Sequence, residues 1–211
     1  MQSSKKCRFC NIIANNYNYA NVDEPFFSND EFAAIASIGA LVEGWSLIIP
    51  KRHQLSMKSV YHSSQFQDIM LSITPKLIKR YGQLITFEHG ANCEGSITSC
   101  GTDHAHLHIV PWADAPLIDF QNSTMEWIKV RASEISAESE SNEYLFYSDL
   151  NNPNEWCDPI GYLHILKKPV SQFFRQLIAK KCGKSKEANY NEFPFLETAR
   201  QTRNVLAISM M

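Results

Sequence analysis

GTDHAHLHIVPW, residues 101 to 112, carries an imidazole at every second position: His104, His106 and His108. Successive side chains of an extended chain point to opposite faces. The three histidines therefore share one face of a strand, while Ala105, Leu107 and Ile109 share the other. The second face is apolar and reads as core. The first is a row of polar rings on an otherwise apolar strand, which makes it a surface for a ligand. Three readings of the row are open. It can be three unrelated histidines on a wet sheet face, although seven His in 211 residues seldom fall into such a run by chance. It can be a metal centre, since imidazoles two apart chelate zinc. Or it can be covalent machinery, in which one imidazole attacks phosphorus while its other nitrogen donates the hydrogen bond that fixes its tautomer.

Outward from this strand, the chain alternates short strands with one long helix. Cys7 to Asn16 reads as a short helix or turn, Phe26 to Ala36 as one or two strands, and Trp45 to Pro50 as a buried strand closed by proline. Ser64 to Tyr81 has apolar residues at Phe66, Ile69, Met70, Ile73, Leu77 and Ile78. This is helical spacing with one core face, and Pro75 is expected to kink it. Gln83 to Phe87 is a strand, and Gly90 to Gly101 a glycine-bearing loop. The pattern predicts an α+β fold with an antiparallel sheet. Composition shifts near residue 115. Beyond it, the Ser-, Glu- and Asn-rich stretch from Ala132 to Asn154 reads either as a helix with frayed ends or as a mobile loop around a short strand at Tyr144 to Tyr147, and Val170 to Cys182 and Phe195 to Ile208 read as helices. The expected organisation is a first unit over 1–115 and a mainly helical C-terminal extension over 116–211.

Three stretches in order resemble the histidine triad (HIT) family. His104-Ala105-His106-Leu107-His108-Ile109-Val110 resembles its signature, Cys7-Arg8-Phe9-Cys10-Asn11-Ile12-Ile13 its opening, and Leu47-Ile48-Ile49-Pro50-Lys51-Arg52-His53 its proline-closed strand. The resemblance implies a sheet of about five strands with the long helix. It also implies a nucleotide hydrolase or nucleotidyl transferase that works at the α-phosphate through a covalent nucleotidyl-histidine. His106 would be the nucleophile, His108 would bind phosphate or bridging oxygens, and His104 would orient His106. By the same resemblance Ile35 and Ile38 flank the base, Ser37 stands where a ribose-binding Asp is expected, and Glu88 stands where an Asn lies near the phosphate. Ser99, Cys100 and Gly101 form the loop whose amides face the phosphate.

Some bacterial relatives hold zinc through residues that match Cys7, Cys10, His53 and His104 here. Two thiolates and two imidazoles make a closed, structural tetrahedral site. In the extension, Gln172 and Arg175 are three apart and share a helix face, with Arg175 a candidate fork for phosphate. The plainer reading of Arg175 is an exposed cation on an amphipathic helix. The resemblance further implies a homodimer, a small nucleotide substrate and no organic cofactor. The alternative is a zinc-stabilised nucleotide-binding or sensor protein with little turnover. A metal-dependent hydrolase with the triad as ligands is a third reading.

Composition bounds these readings. A net charge of -2 is wrong for a protein that binds nucleic acid polymers. The longest apolar stretch, Phe32 to Val42, is about half of the roughly 20 residues that cross a bilayer. MQSSKKCRFC has basic residues with no apolar core behind them, unlike a secretory signal. Six cysteines without a signal point to thiols or metal ligands in a reducing, cytoplasmic setting.

Overall fold

The computed structural model describes residues 7–114, 116–121 and 123–210. The expected boundary at residue 115 and the basic N-terminal segment 1–6 lie outside them. The strands are Phe27–Ser28 (β1), Phe32–Ala36 (β2), Ser46–Pro50 (β3), Leu84–Gly90 (β4), Leu107–Pro111 (β5), Ile128–Arg131 (β6), Tyr144–Asp149 (β7) and Ile160–Ile165 (β8). They form one sheet in the order β1-β2-β3-β5-β4-β7-β8-β6, with antiparallel neighbours throughout. The helices are Arg8–Ile13 (α1), Ser64–Tyr81 (α2), Ile135–Ser139 (α3), Phe173–Lys181 (α4) and Leu196–Met210 (α5). No helix among the described residues is long and apolar enough to cross a membrane.

The helix read from 3.6-residue spacing forms over the expected range. The Ser63 side chain caps it by accepting from the Gln65 amide, and Pro75 lies inside it without ending it. Its face of Phe66, Ile69, Met70, Ile73 and Leu77 is fully buried against Ala34, Ile48, Leu107, Ile109 and Phe146. The opposite sheet face carries Ile35, Leu47, Ile85, Phe87, Val110, Leu145 and Tyr147. It is covered by Phe9 and Ile12 of α1 and by Phe174 and Ile178 of α4. The two-residue alternation on β5 therefore separates two cores, one under α2 and one on the histidine side.

Two expectations are corrected. The sheet has eight strands rather than about five, because the C-terminal extension is not mainly helical: β6, β7 and β8 continue the sheet. The edge of β4 is covered by β7 of the same chain, with Glu88 opposite Phe146 and Gly90 opposite Tyr144. The strand expected at Tyr144 to Tyr147 forms as the start of β7, with all four residues fully buried, whereas β6 and β8 were not expected. Gly90 ends β4 where a Cβ would lie 2.2 Å from the Tyr144 ring, so only glycine lets that tyrosine pack across the strand.

The second correction concerns Glu88. It is fully buried on the α2 face, away from the histidine row. Its carboxylate accepts from the Met57 amide (2.6 Å), the Tyr61 hydroxyl (2.7 Å) and the Tyr144 hydroxyl (2.7 Å). It ties the turn before α2 to β7. Burial raises its pKa from 4.5 to about 7 despite those donors. The folded state thus keeps the Glu88 proton where the unfolded chain loses it. This contribution to stability is whole below pH 4.5 and is lost as pH rises through about 7. Glu88→Gln keeps the acceptor without the charge, so its stability relative to wild type should rise between pH 5 and pH 8. Urea unfolding of both proteins at the two pH values measures it, and a difference independent of pH would refute it.

Candidate active site

The histidine row does not stand on an open sheet face. His106 is only 8% exposed, and it is reached through a cleft of about 520 Å³, part of it open to solvent. The floor is His106 and His108, flanked by Trp45 and Leu47 on the β3 side and by Phe87 and His89 on the β4 side. Arg8 and Phe9 of α1 form one wall, and Gln172, Arg175 and Tyr190 of the C-terminal half form another.

Each triad ring has a different partner, and the partners place the proton on Nε2 of His104 and His108 but on Nδ1 of His106. The His104 Nε2 lies 2.8 Å from the Pro50 carbonyl, which can only accept, so Nε2 carries the proton. His104 Nδ1 is then the free nitrogen, and it faces the Cys7 and Cys10 sulfurs at 3.4 and 3.5 Å. His106 Nδ1 donates to the His104 carbonyl at 2.8 Å, leaving Nε2 with its lone pair. His108 is reversed: its Nδ1 accepts from the Trp45 indole N–H at 2.9 Å, so Nε2 holds the proton. Its ring stacks on Phe87 at 4.5 Å. Burial lowers the pKa of all three rings, that of His104 to about 4, which favours the neutral forms these patterns describe. His106 is therefore oriented by the backbone of His104, whereas the His104 ring belongs to a separate cluster. The regular strand β5 begins only at Leu107. Before it, the Ala105 amide bonds to the Gln54 carbonyl at 2.6 Å and holds the extended course.

That separate cluster is Cys7, Cys10, His53 and His104, whose ligand atoms all lie within 4.8 Å of one another. Cys10 Sγ is 3.3 Å from His53 Nδ1. Burial first, and then the adjacent Cys7 thiol, push the Cys10 thiol up to about 11. Two crowded thiols facing two imidazole nitrogens are a donor set that a divalent cation would satisfy. The four residues could hold a metal ion such as zinc. Among the described residues, this metal-suited group contains His104 and neither His106 nor His108.

The remaining expected site residues divide. Ser37, Ile38, Cys100, Gln172 and Arg175 line the cleft. Ile35 is fully buried beneath it, and Glu88 faces the other core. Ser99 is buried, with its hydroxyl on the Ser96 carbonyl and Asp103 at 2.7 and 2.8 Å. Gly101 lines an outer hollow beside Cys7 and His53 instead. The loop amides of Ser99 and Cys100 are bonded within their own turn, to Ser96 and Ile97, rather than directed at the cleft. Gln172 precedes α4 rather than lying on it, and its amide donates to the Cys100 sulfur at 3.2 Å. Arg175 is buried, not exposed. Three of its N–H groups go to the carbonyls of Gly39, Ala188 and Glu187, so it fastens the C-terminal half to the loop after β2.

Trp45, Arg8, Thr102 and Tyr190 were not legible as cleft residues. Arg8 sits between the paired cysteines, and that placement beside His104 was the available signal. Its guanidinium is fastened to the buried Asp23 and lies over the Phe9 and Tyr19 rings.

No protein-family model and no curated protein matches this chain. Solved structures do. An HIT family hydrolase from Clostridium thermocellum is 24% identical, over 53% of this chain and 94% of that one, with a TM-score of 0.35. A histidine triad protein from Clostridium difficile is 21% identical, over 52% and 93%, with a TM-score of 0.35. A galt-like protein from Arabidopsis thaliana is 10% identical, over 82% and 83%, with a TM-score of 0.36. This chain is similar in structure to histidine triad proteins and to a GalT-like protein.

Proposed function

We propose that the chain is a nucleotide hydrolase or nucleotidyl transferase that acts at an α-phosphate through a covalent intermediate on His106. The observation that carries this reading is the opposed pair of tautomers on the cleft floor. His106 offers a lone pair at Nε2, and His108, on the same strand face, offers a proton at its own Nε2. In the first step the His106 Nε2–phosphorus bond forms and the bond from phosphorus to the leaving group breaks. His108 stays neutral and donates its Nε2–H to a phosphoryl or bridging oxygen. The leaving group departs with the bonding electron pair and takes any proton it needs from solvent, and the His106 Nδ1–H···O=C bond to His104 stabilises the charge that develops on the ring. In the second step water or another acceptor attacks phosphorus, the N–P bond breaks with its electron pair returning to His106 Nε2, and the acceptor's proton is released to solvent.

Zinc held by Cys7, Cys10, His53 and His104 would be structural, since four protein ligands leave no open position. It would fix the His104 segment, and with it the carbonyl that orients His106. The β4 edge is covered by β7 of the same chain. The test is trapping by denaturation at alkaline pH, where a histidyl N–P bond survives, with α-labelled nucleotides, phosphoramidates and dinucleoside polyphosphates. Label should stay on wild type and be absent from His106→Ala. Turnover without label on His106 would remove the covalent reading.

The Trp45 bond makes a second expectation. Trp45→Phe keeps the aromatic bulk but frees His108 Nδ1, and His108 then populates both tautomers. Losing a hydrogen bond of about 1 kcal/mol that holds the productive form should lower turnover by roughly five- to tenfold. Steady-state assays should place that loss in kcat rather than KM; a loss confined to KM would contradict it.

A further inference from the structure

We infer that His89 is a phosphoryl-binding residue of this cleft, donating a hydrogen bond to a phosphoryl oxygen of the substrate; this rests on the nucleotide reading above. His89 lies on β4 two residues beyond the last position paired with β5, where Phe87 stands opposite His108. Continued, that register brings His89 beside His106 on the same face. The ring is only 6% exposed and lines the cleft. Its centroid is 6.3 Å from that of His108 and 5.1 Å from that of Phe174.

Both of its ring nitrogens are buried, and among the described residues neither has a hydrogen-bond partner. A buried polar group without a partner is costly, and native structures rarely keep one without a use. A phenylalanine would pack as well beside Phe87 and Phe174 without that cost. The four imidazoles of this region are thus divided. His104 turns to the cysteines, His106 and His108 each have one nitrogen held by protein, and His89 has both left for whatever enters. A neutral imidazole carries one N–H, and a phosphoryl oxygen is a strong acceptor that has lost its water in such a site.

The experiment measures binding to wild type, His89→Phe and His89→Gln by calorimetry. The probes are the tightest-binding of the four ribonucleoside 5′-monophosphates and its parent nucleoside. His89→Phe should bind the monophosphate about ten- to hundredfold more weakly, the range for a hydrogen bond to a charged group, and bind the nucleoside within about twofold of wild type. His89→Gln, which keeps an N–H, should fall between, and His89→Phe should melt no lower than wild type. Unchanged monophosphate binding by His89→Phe, with label still trapped on His106, overturns this inference and leaves the nucleotide reading intact. Equal weakening toward monophosphate and nucleoside also overturns it, as damage to packing. If wild type binds none of the monophosphates and traps no label, both readings fall.

Discussion

Replacing His106 by alanine should reduce turnover by about 10⁴-fold or more, the scale on which loss of a covalent nucleophile is felt. The reason is local. His106 Nδ1 is committed to the His104 carbonyl, which leaves one nitrogen for bond formation. His108 cannot substitute, because its corresponding nitrogen carries the proton that Trp45 imposes. The fold should survive. The variant removes a ring that borders a cleft and edges against Phe9 at 5.3 Å, so the melting temperature should change by a few degrees at most. Matched thermal melts and turnover assays separate the two effects. A His106→Ala protein that keeps more than about a hundredth of wild-type turnover would point to a different nucleophile.

Loss of the metal cluster should act in the opposite way, on stability first. If the four ligands hold zinc at about a thousand times its dissociation constant, occupancy contributes about 4 kcal/mol. For a chain of this size that is roughly 8–16 °C of melting temperature. Cys10→Ala, or wild type treated with a strong chelator, should show that drop. The chelator should have no effect on Cys10→Ala. Turnover measured well below the lowered midpoint should fall less than with His106→Ala, because the cluster acts on the reaction only by fixing the backbone before β5. Zinc content by elemental analysis of the purified protein, with unchanged melting after chelation, would sink this expectation.

The cluster was readable because the family resemblance linked a Cys-x2-Cys pair, a weak signal by itself, to His53 and to the first histidine of the row. The long helix was readable for a local reason: 3.6-residue spacing of large apolar side chains sets both its extent and its buried face. Glu88 and His89 show the limit. A shift of one residue along a strand exchanges the two faces of a sheet, and a motif aligned by type does not settle that parity. The register of β4 against β5 does, and it sends Glu88 to two tyrosines and His89 to the cleft. Arg175 shows another limit. Its spacing on a helix is visible, but the three carbonyls that take its donors come from residues 39, 187 and 188.

The sequence alone determined which side chains share a face: three imidazoles on one side of a strand, three apolar groups on the other, and a helix with a single core stripe. Those follow from periods of 2 and 3.6, which are properties of the backbone. What covers each face was decided only by the tertiary structure. There, β7 and β8 extend the sheet past β4, α4 and its flanking loops wall in the histidine row, and each ring meets the carbonyl, indole or thiol that sets its proton. Apart from the His104 carbonyl that meets His106, these partners lie tens of residues from the rings they meet. Long-range pairing and burial select them, and a local period carries no record of either.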